Sequence, residues 1–306
     1  MPPRVSVIVR TKNRPEFLAR ALADIAGQTF GDVVVLVVND GGDSAAAAQI
    51  VSAARVDVRL IDTAAPGGRC VAANTGVAAA DGSEFVVLHD DDDLWDPRFL
   101  ERTVAWLDAH PEDVGVAVAT AIAYEQRIDG AWVETSRVPF WEGMTRVSLT
   151  DMLDRNRVVP ISLLYRRRVH DEVGGYDERL GTVEDWEFLL RVLGRHSVGF
   201  IPGEPLAIWT QRPSATGVAS NSMFALEDRH AEDDALVRDR ELASWVAVNG
   251  TGLPLFLAGI ENRLARRIDV SMDRLRQQVR EDIDAHQPVA SRLRRLRRRL
   301  RRRSDS

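Results

Sequence analysis

Through the first third of this chain, short runs of purely apolar residues alternate with segments whose apolar positions recur every three or four residues. Val5 to Val9 is the first run. Behind it, Leu18, Ala21, Leu22 and Ile25 share one face of a helix opened by Pro15. Val33 to Val38 predicts a second strand, the alanine-rich stretch to Ala54 a second helix, and Val56 to Ile61 a third strand. A third helix over Cys70 to Ala80 and a fourth strand over Glu84 to Leu88 complete the pattern. Strands that are apolar throughout are covered on both faces, so this order predicts an α/β fold with a parallel sheet.

The pattern then loosens. Leu100, Thr103, Val104 and Leu107 predict a helix over Arg98 to Ala109, and Val114 to Ala123 reads as one strand. Gln126 to Thr135 reads as a hairpin turning at Asp129-Gly130. Trp186, Leu189, Leu190 and Leu193 predict another helix, and Val198 to Ile201 and Leu206 to Trp209 two short strands. Phe140 and Trp141 could stack on a sugar face, although such a pair is more often core. Gln211 to Asn221 is rich in small and polar residues and predicts a mobile loop closing over a bound ligand. From Met223 the pattern is helical, with Leu226, Leu236, Leu242 and Trp245 in one helix or two and Leu255 to Ile283 in another.

Candidate chemistry gathers where the strands end. Phe85 to Leu88 runs through His89 into Asp90-Asp91-Asp92-Asp93. Four adjacent carboxylates repel unless a cation or hydrogen-bond donors offset the charge, and hard oxygen ligands of this kind suit Mg²⁺ or Mn²⁺ with diphosphate. Taken alone, an acidic run is more often a solvated turn. In parallel sheets, however, ligands sit outside the carboxyl ends of the strands, which collects Arg10 to Arg14, Asn39 to Asp43, Ala64 to Arg69 and His89 to Asp93 on one rim. Asn39-Asp40-Gly41 and Gly67-Gly68 are also turn signals in their own right. Arg69 beside two glycines suits a diphosphate facing the carboxylates. Thr182-Val-Glu-Asp185 has the spacing of a capping box, which offers a structural reading of Glu184 and Asp185.

Charge is uneven. The net value is −6, yet residues 292–306 hold nine arginines and one aspartate, so the remainder carries −14. An acidic body argues against a nucleic-acid-binding core. Leu293, Leu296 and Leu300 at helical spacing among the arginines predict an amphipathic tail over 291–306 suited to an anionic membrane surface; a solvated tail, a nucleic-acid contact or a protein partner remain open for it. The single cysteine, Cys70, excludes an intrachain disulfide and reads as a buried apolar residue. No secretory signal or membrane span is visible, so the expectation is a cytoplasmic protein, peripheral on the inner face of the membrane where the tail binds.

Five stretches together resemble the family 2 glycosyltransferases of the A-type (GT-A) fold. They are Val5-Ser-Val-Ile-Val-Arg-Thr-Lys-Asn-Arg-Pro, Val38-Asn-Asp-Gly-Gly-Asp, Ala73-Asn-Thr-Gly, Asp81-Gly-Ser-Glu-Phe-Val-Val-Leu running into Asp90-Asp-Asp-Asp-Leu-Trp-Asp-Pro, and Gly174 to Arg191. The likeness covers roughly residues 4–215. It implies a Rossmann-like mixed sheet over 1–221, with a nucleotide-sugar half (1–95) and an acceptor half (96–221), then a helical extension over 222–290. It also implies an inverting, metal-dependent transfer of sugar from a nucleoside-diphosphate donor, a UDP-sugar favoured, to a hydroxyl of a glycan or glycolipid, as in cell-surface polysaccharide synthesis. Thr11 and Arg14 would line the nucleotide pocket, Asp40 would bond the base, and Asp90 and Asp92 would form the metal-binding pair, with Asp91 between them where the family usually has a small or neutral residue. Asp185, beside Glu184, would be the catalytic base, and Arg69 or Arg212 would steady the leaving diphosphate. The loop carrying Arg212 lacks the histidine often found there. Two rivals remain at this stage: a sugar-phosphate nucleotidyltransferase, whose glycine-rich loop is missing after the first strand, and a non-catalytic module that binds nucleotide-sugar or glycan.

Overall fold

The computed structural model describes residues 2–219, 221 and 226–286. The predicted tail over 291–306 lies outside the described residues. Two compact units divide the chain at Val237/Arg238.

In the first unit the leading alternation is β1 (Val5–Thr11), α1 (Pro15–Ala26), β2 (Val33–Asn39), α2 (Ser44–Ser52), β3 (Val58–Asp62), α3 (Gly68–Ala79) and β4 (Phe85–Asp90). It continues through β5 (Leu94–Trp95), α4 (Phe99–Ala109), β6 (Asp113–Val118), β7 (Thr120–Ile128), β8 (Ala131–Pro139), α5 (Leu149–Asp154), β9 (Leu163–Arg166) and α6 (Val169–Val173). Then come α7 (Glu184–Leu193), β10 (Ser197–Ile201), β11 (Ala207–Gln211), α8 (Glu227–Asn249) and α9 (Gly252–His286).

Seven strands form the main sheet in the order β10-β6-β9-β4-β1-β2-β3. β1 pairs in parallel with β2 and β4, whereas β9 runs antiparallel between β4 and β6. The sheet is therefore mixed, as the resemblance implies. Its two faces explain the unbroken apolar strands: Ile8, Leu36 and Leu88 pack on one side with Ala73, Val77 and Trp186, and Val7, Val35 and Val87 on the other with Leu18, Leu22 and Leu100. α3 lies so close to β1 that a Cβ at Gly76 would overlap Ile8.

One predicted strand is two. Val114 to Ala123 breaks at Ala119, whose N–H donates to the Ile201 carbonyl and whose carbonyl accepts from the Leu206 N–H. Those bonds hand the chain from the main sheet to a second sheet ordered β5-β11-β7-β8. The hairpin is correspondingly longer than Gln126 to Thr135, spanning β7 and β8.

Candidate active site

The site grows out of strand register. After β3 the chain returns to the other side of β1, so β1 and β4 end together at the point where strand order reverses, and a crevice opens there. Arg10 is paired in register with Asp90 across that point. The Arg10 guanidinium reaches Asp90 Oδ1 at 2.5 Å and Glu184 Oε1 at 2.9 Å, and Arg69 reaches Glu184 Oε2 at 3.1 Å. Arg10 thus ties the start of α7 to the end of β4. Its role escaped the sequence reading because register is a tertiary property.

A second chain of charges runs beside the first. Thr11 Oγ1 donates to Asp91 at 2.8 Å, and Arg14 bonds Asp91 and Asp92, each at 2.7 Å. Arg212 pairs with Asp92 and, at 3.0 Å, with Glu125, which also takes Arg20 at 2.5 Å. The guanidinium carbons of Arg14 and Arg212 each stand 4.5 Å from the centroid of the Phe17 ring. Asn221 Nδ2 donates to Asp92 at 3.2 Å, and the Thr210 N–H donates to Asp93 at 2.8 Å. Buried carboxylates are tolerable only when paired in this way.

These contacts qualify the expected loop over Gln211 to Asn221. β11 runs to Gln211, Arg212 is fully buried, and Asn221 is buried against Asp92. Both ends of the segment are fixed to the acidic cluster; residue 220 lies outside the described residues.

Asp40 meets the glycine turn: its carboxylate accepts from the Gly67 N–H at 2.7 Å and the Gly68 N–H at 3.1 Å, with Lys12 at 3.9 Å. Asn74, from Ala73-Asn-Thr-Gly, clasps Tyr176 by accepting from its N–H at 2.8 Å and donating to its carbonyl at 2.9 Å. That motif residue holds α3 against the turn leading to α7.

α7 starts without the anticipated capping box. Val183 is the N-cap residue, in the left-handed region at φ 55°, and no side chain caps the helix. The Thr182 hydroxyl turns away to Asp233 of α8, whose Oδ2 also accepts from the N–H groups of Gly181 and Thr182, all within 3.0 Å. Trp186 Nε1 donates to the Met152 carbonyl, which seats α5 on α7 and brings Asn156 to Asp185, Nδ2 to Oδ2, at 2.8 Å.

Environment separates the acids. Burial, reinforced by the charge of Glu184, pushes Asp185 up to about 6. Glu184 itself lies below the usual range because Arg69 and Arg10 outweigh its burial. Burial pushes Asp91 up to about 7 against the pull of Arg14, whereas Arg10 and then Arg69 overcome burial at Asp90 and hold it low.

A divalent cation needs hard oxygen donors not already spent. No group of three or more His, Cys, Asp or Glu side chains set to hold a metal is found among the described residues. Asp90 and Asp92 each bond their arginines through one oxygen, Oδ1 of Asp90 and Oδ2 of Asp92, leaving the opposite oxygen of each outside those bonds. Two carboxylates, with water and phosphate oxygens filling the other positions, are a usual Mg²⁺ set, so the donor chemistry fits.

A mixed Rossmann-like sheet with acids and arginines massed at its reversal point is the architecture of the GT-A glycosyltransferases. Solved structures agree on the fold. Staphylococcus aureus TarS 1-349 in complex with UDP-GlcNAc superposes with a TM-score of 0.53 at 21% identity, over 71% of this chain and 61% of that one. Mannosyltransferase PcManGT from Pyrobaculum calidifontis, in complex with GDP-Man and Mn2+, gives 0.51 at 19% identity, over 87% and 81%. This chain thus spans about three-fifths of the TarS fragment.

Residues 6–174, more than half the chain, match Glycosyl transferase family 2, and the chain belongs to that family. It is a glycosyltransferase. Among relatives, the glycosyltransferase YwdF of Bacillus subtilis is 28% identical over 199 residues, 65% of this chain and 71% of that protein. A PGL/p-HBAD biosynthesis glycosyltransferase of Mycobacterium tuberculosis is 29% identical over 195 residues, 62% and 69%.

Proposed function

We propose that this glycosyltransferase moves a sugar, with inversion, from a nucleoside-diphosphate donor to a hydroxyl of a glycan or glycolipid acceptor, with a UDP-sugar as the favoured donor. The observation that carries this reading is Arg10, which bonds Asp90 and Glu184 together and so sets the acid at the start of α7 beside the carboxylates of β4. The solved structural neighbours in complex with UDP-GlcNAc and with GDP-Man and Mn2+ support a nucleotide-sugar in this crevice.

Asp185 is the base: it takes the acceptor proton as the hydroxyl attacks the anomeric carbon from the face opposite the diphosphate. A carboxylate poised near 6 is ionised at neutral pH yet basic enough to help. Asn156 orients it. Glu184, spent on two arginines, positions rather than reacts. Arg69 and Arg14 face the departing diphosphate, and Arg14 Nε is buried without a hydrogen-bond partner among the described residues, a donor suited to a phosphate oxygen. Asp90 and Asp92 would hold Mn²⁺ or Mg²⁺, which when bound supplies Lewis-acid stabilisation of the leaving group. Thr11 and Asp40 line the nucleotide side.

No helix among the described residues is long and apolar enough to cross a membrane. Attachment of the arginine-rich tail to the inner membrane face is part of the same proposal.

Calorimetric titration with UDP, GDP, dTDP and CDP, each with Mn²⁺ and with EDTA, tests the donor site. Metal-dependent micromolar binding of UDP is the expected result. Absence of binding by all four nucleotides would remove the reading.

A further inference from the structure

Phe140 and Trp141 divide the two roles open to an aromatic pair. Phe140 packs against the core that holds Val7, Val35 and Leu100, and it stands edge-on to Trp209 with ring centroids 5.2 Å apart. Trp141 is half-buried yet joins neither apolar core among the described residues. Its ring meets Phe140 edge-on at 5.8 Å, and the Arg157 guanidinium carbon stands over it, 4.9 Å from the centroid. Arg157 follows Asn156, the residue that bonds Asp185. Its own N–H donates to Met152 Sδ at 3.4 Å, and the Met152 carbonyl accepts from Trp186, so the stretch carrying Arg157 is fastened to the start of α7. Two donors of the stacked pair are orphaned: Trp141 Nε1 and Arg157 Nε are both buried with no hydrogen-bond partner among the described residues. A buried donor left unpaired is costly, and indole and guanidinium N–H groups donate without accepting, so each calls for an acceptor atom from outside.

We infer that Trp141 and Arg157 form an acceptor subsite for a neutral pyranose, which narrows the acceptor of the proposed transfer and stands only if that transfer does. The C–H face of the sugar lies against the indole, its ring and hydroxyl oxygens accept from Trp141 Nε1 and Arg157 Nε, and a further hydroxyl is presented to Asp185. Chemistry selects this occupant. An alkyl or polyprenyl chain would cover the indole but leave both donors unpaired. A phosphate or carboxylate calls for free positive charge, whereas Arg157 is already offset by Asp151 Oδ1 at 3.0 Å, with Asp154 at 3.7 Å. A pyranose brings an apolar face and a rim of acceptors on one molecule, which matches an aromatic platform edged with donors.

Saturation-transfer NMR on the full chain, with UDP and Mn²⁺ present, tests this. The probes are the methyl glycosides of glucose, galactose, mannose and rhamnose, with methyl glucuronide as the anionic arm and citronellol as the apolar one. Transfer to the C–H protons of at least one neutral glycoside is expected, with neither other arm binding more tightly. Trp141→Ala should weaken that glycoside about tenfold, and Trp141→Phe, which keeps a ring but loses the Nε1 donor, should fall between the two. UDP affinity, read by calorimetry, should hold in both variants. A chain that binds UDP but none of the neutral glycosides overturns the subsite alone, as does glycoside binding that Trp141→Ala leaves unchanged or a preference for the glucuronide or the alcohol. Loss of UDP and glycoside together in Trp141→Phe also overturns it, since Trp141 then supports the fold. A chain that binds no nucleotide at all removes the transfer reading first and the subsite with it.

Discussion

Arg212 carries more of the site than its place in a polar loop suggests. Its guanidinium pairs Asp92 and Glu125, donates to Thr210 Oγ1 at 2.9 Å and to the Ala219 carbonyl at 3.1 Å, and has no exposed surface. Arg212→Ala leaves Asp92 to Arg14 and Glu125 to Arg20 but removes the buried partner the two carboxylates share, and should destabilise the fold by about 1–3 kcal/mol, read from urea unfolding. An unchanged midpoint would mean that water or Arg14 replaces it. Asp185 makes a second prediction at this scale. A base must be ionised to act, so kcat/KM should rise with pH through about 6 and level off above it. Asp185→Asn should remove that limb and roughly 10²–10⁴-fold of the rate while donor affinity holds. Glu184→Gln deletes a charge that raises Asp185, so any surviving limb should move to lower pH; a limb that stays put assigns it to another group. Asp90 to Asp93, Arg69 and Asp185 were legible in the sequence because strand ends and helix starts mark them. Glu125, Asn156 and Asn221 were not, because each arrives from a remote segment whose own pattern is ordinary.

Among the elements, α8 does something unmarked in its sequence. Asp233 sits one turn before the buried Val237, and its carboxylate gathers three donors from Gly181 and Thr182, enough to hold it below the usual range despite burial. It fixes the turn from which α7 starts. Asp233→Ala should cost about 1–3 kcal/mol of stability and lower kcat more than it weakens donor binding. Equal loss in both would make Asp233 a purely structural residue. The spacing of Thr182 and Asp185 suggested a local cap, in which the Thr182 oxygen would accept a backbone N–H of α7, but the hydroxyl is turned to Asp233 and the Arg229 carbonyl and Val183 stands at the N-cap instead. The division of Val114 to Ala123 was hidden for a similar reason: the run's one glycine, Gly115, lies inside β6, and the switch at Ala119 is imposed by backbone bonds to Ile201 and Leu206.

For the whole molecule, the alternation of the first third was enough to read the α/β class, because continuous apolar strands demand cover on both faces. Where the catalytic unit ends was harder to read, since the compact unit closes at Val237, inside a continuous helix. A chain ending at Asn221 lacks Asp233 and the Val237 side chain that packs into the core around Leu180 and Trp186. It should melt well below one ending at Asn249, and equal melting temperatures would show that α8 is dispensable.

The left-handed backbone at Val183 also sets a limit on improvement. A β-branched residue held there costs of order 1–3 kcal/mol, a load the folded protein carries next to the proposed base. Glycine would shed that load but also give up the Val183 side chain packed against the core, so the melting point of Val183→Gly reads the balance of the two. The same change would free the segment that aims Asp185, so turnover should drop whichever way the melting point moves. Backbone strain, core packing and the aim of an acid thus meet at a single peptide unit, and a change made for one is felt by the other two.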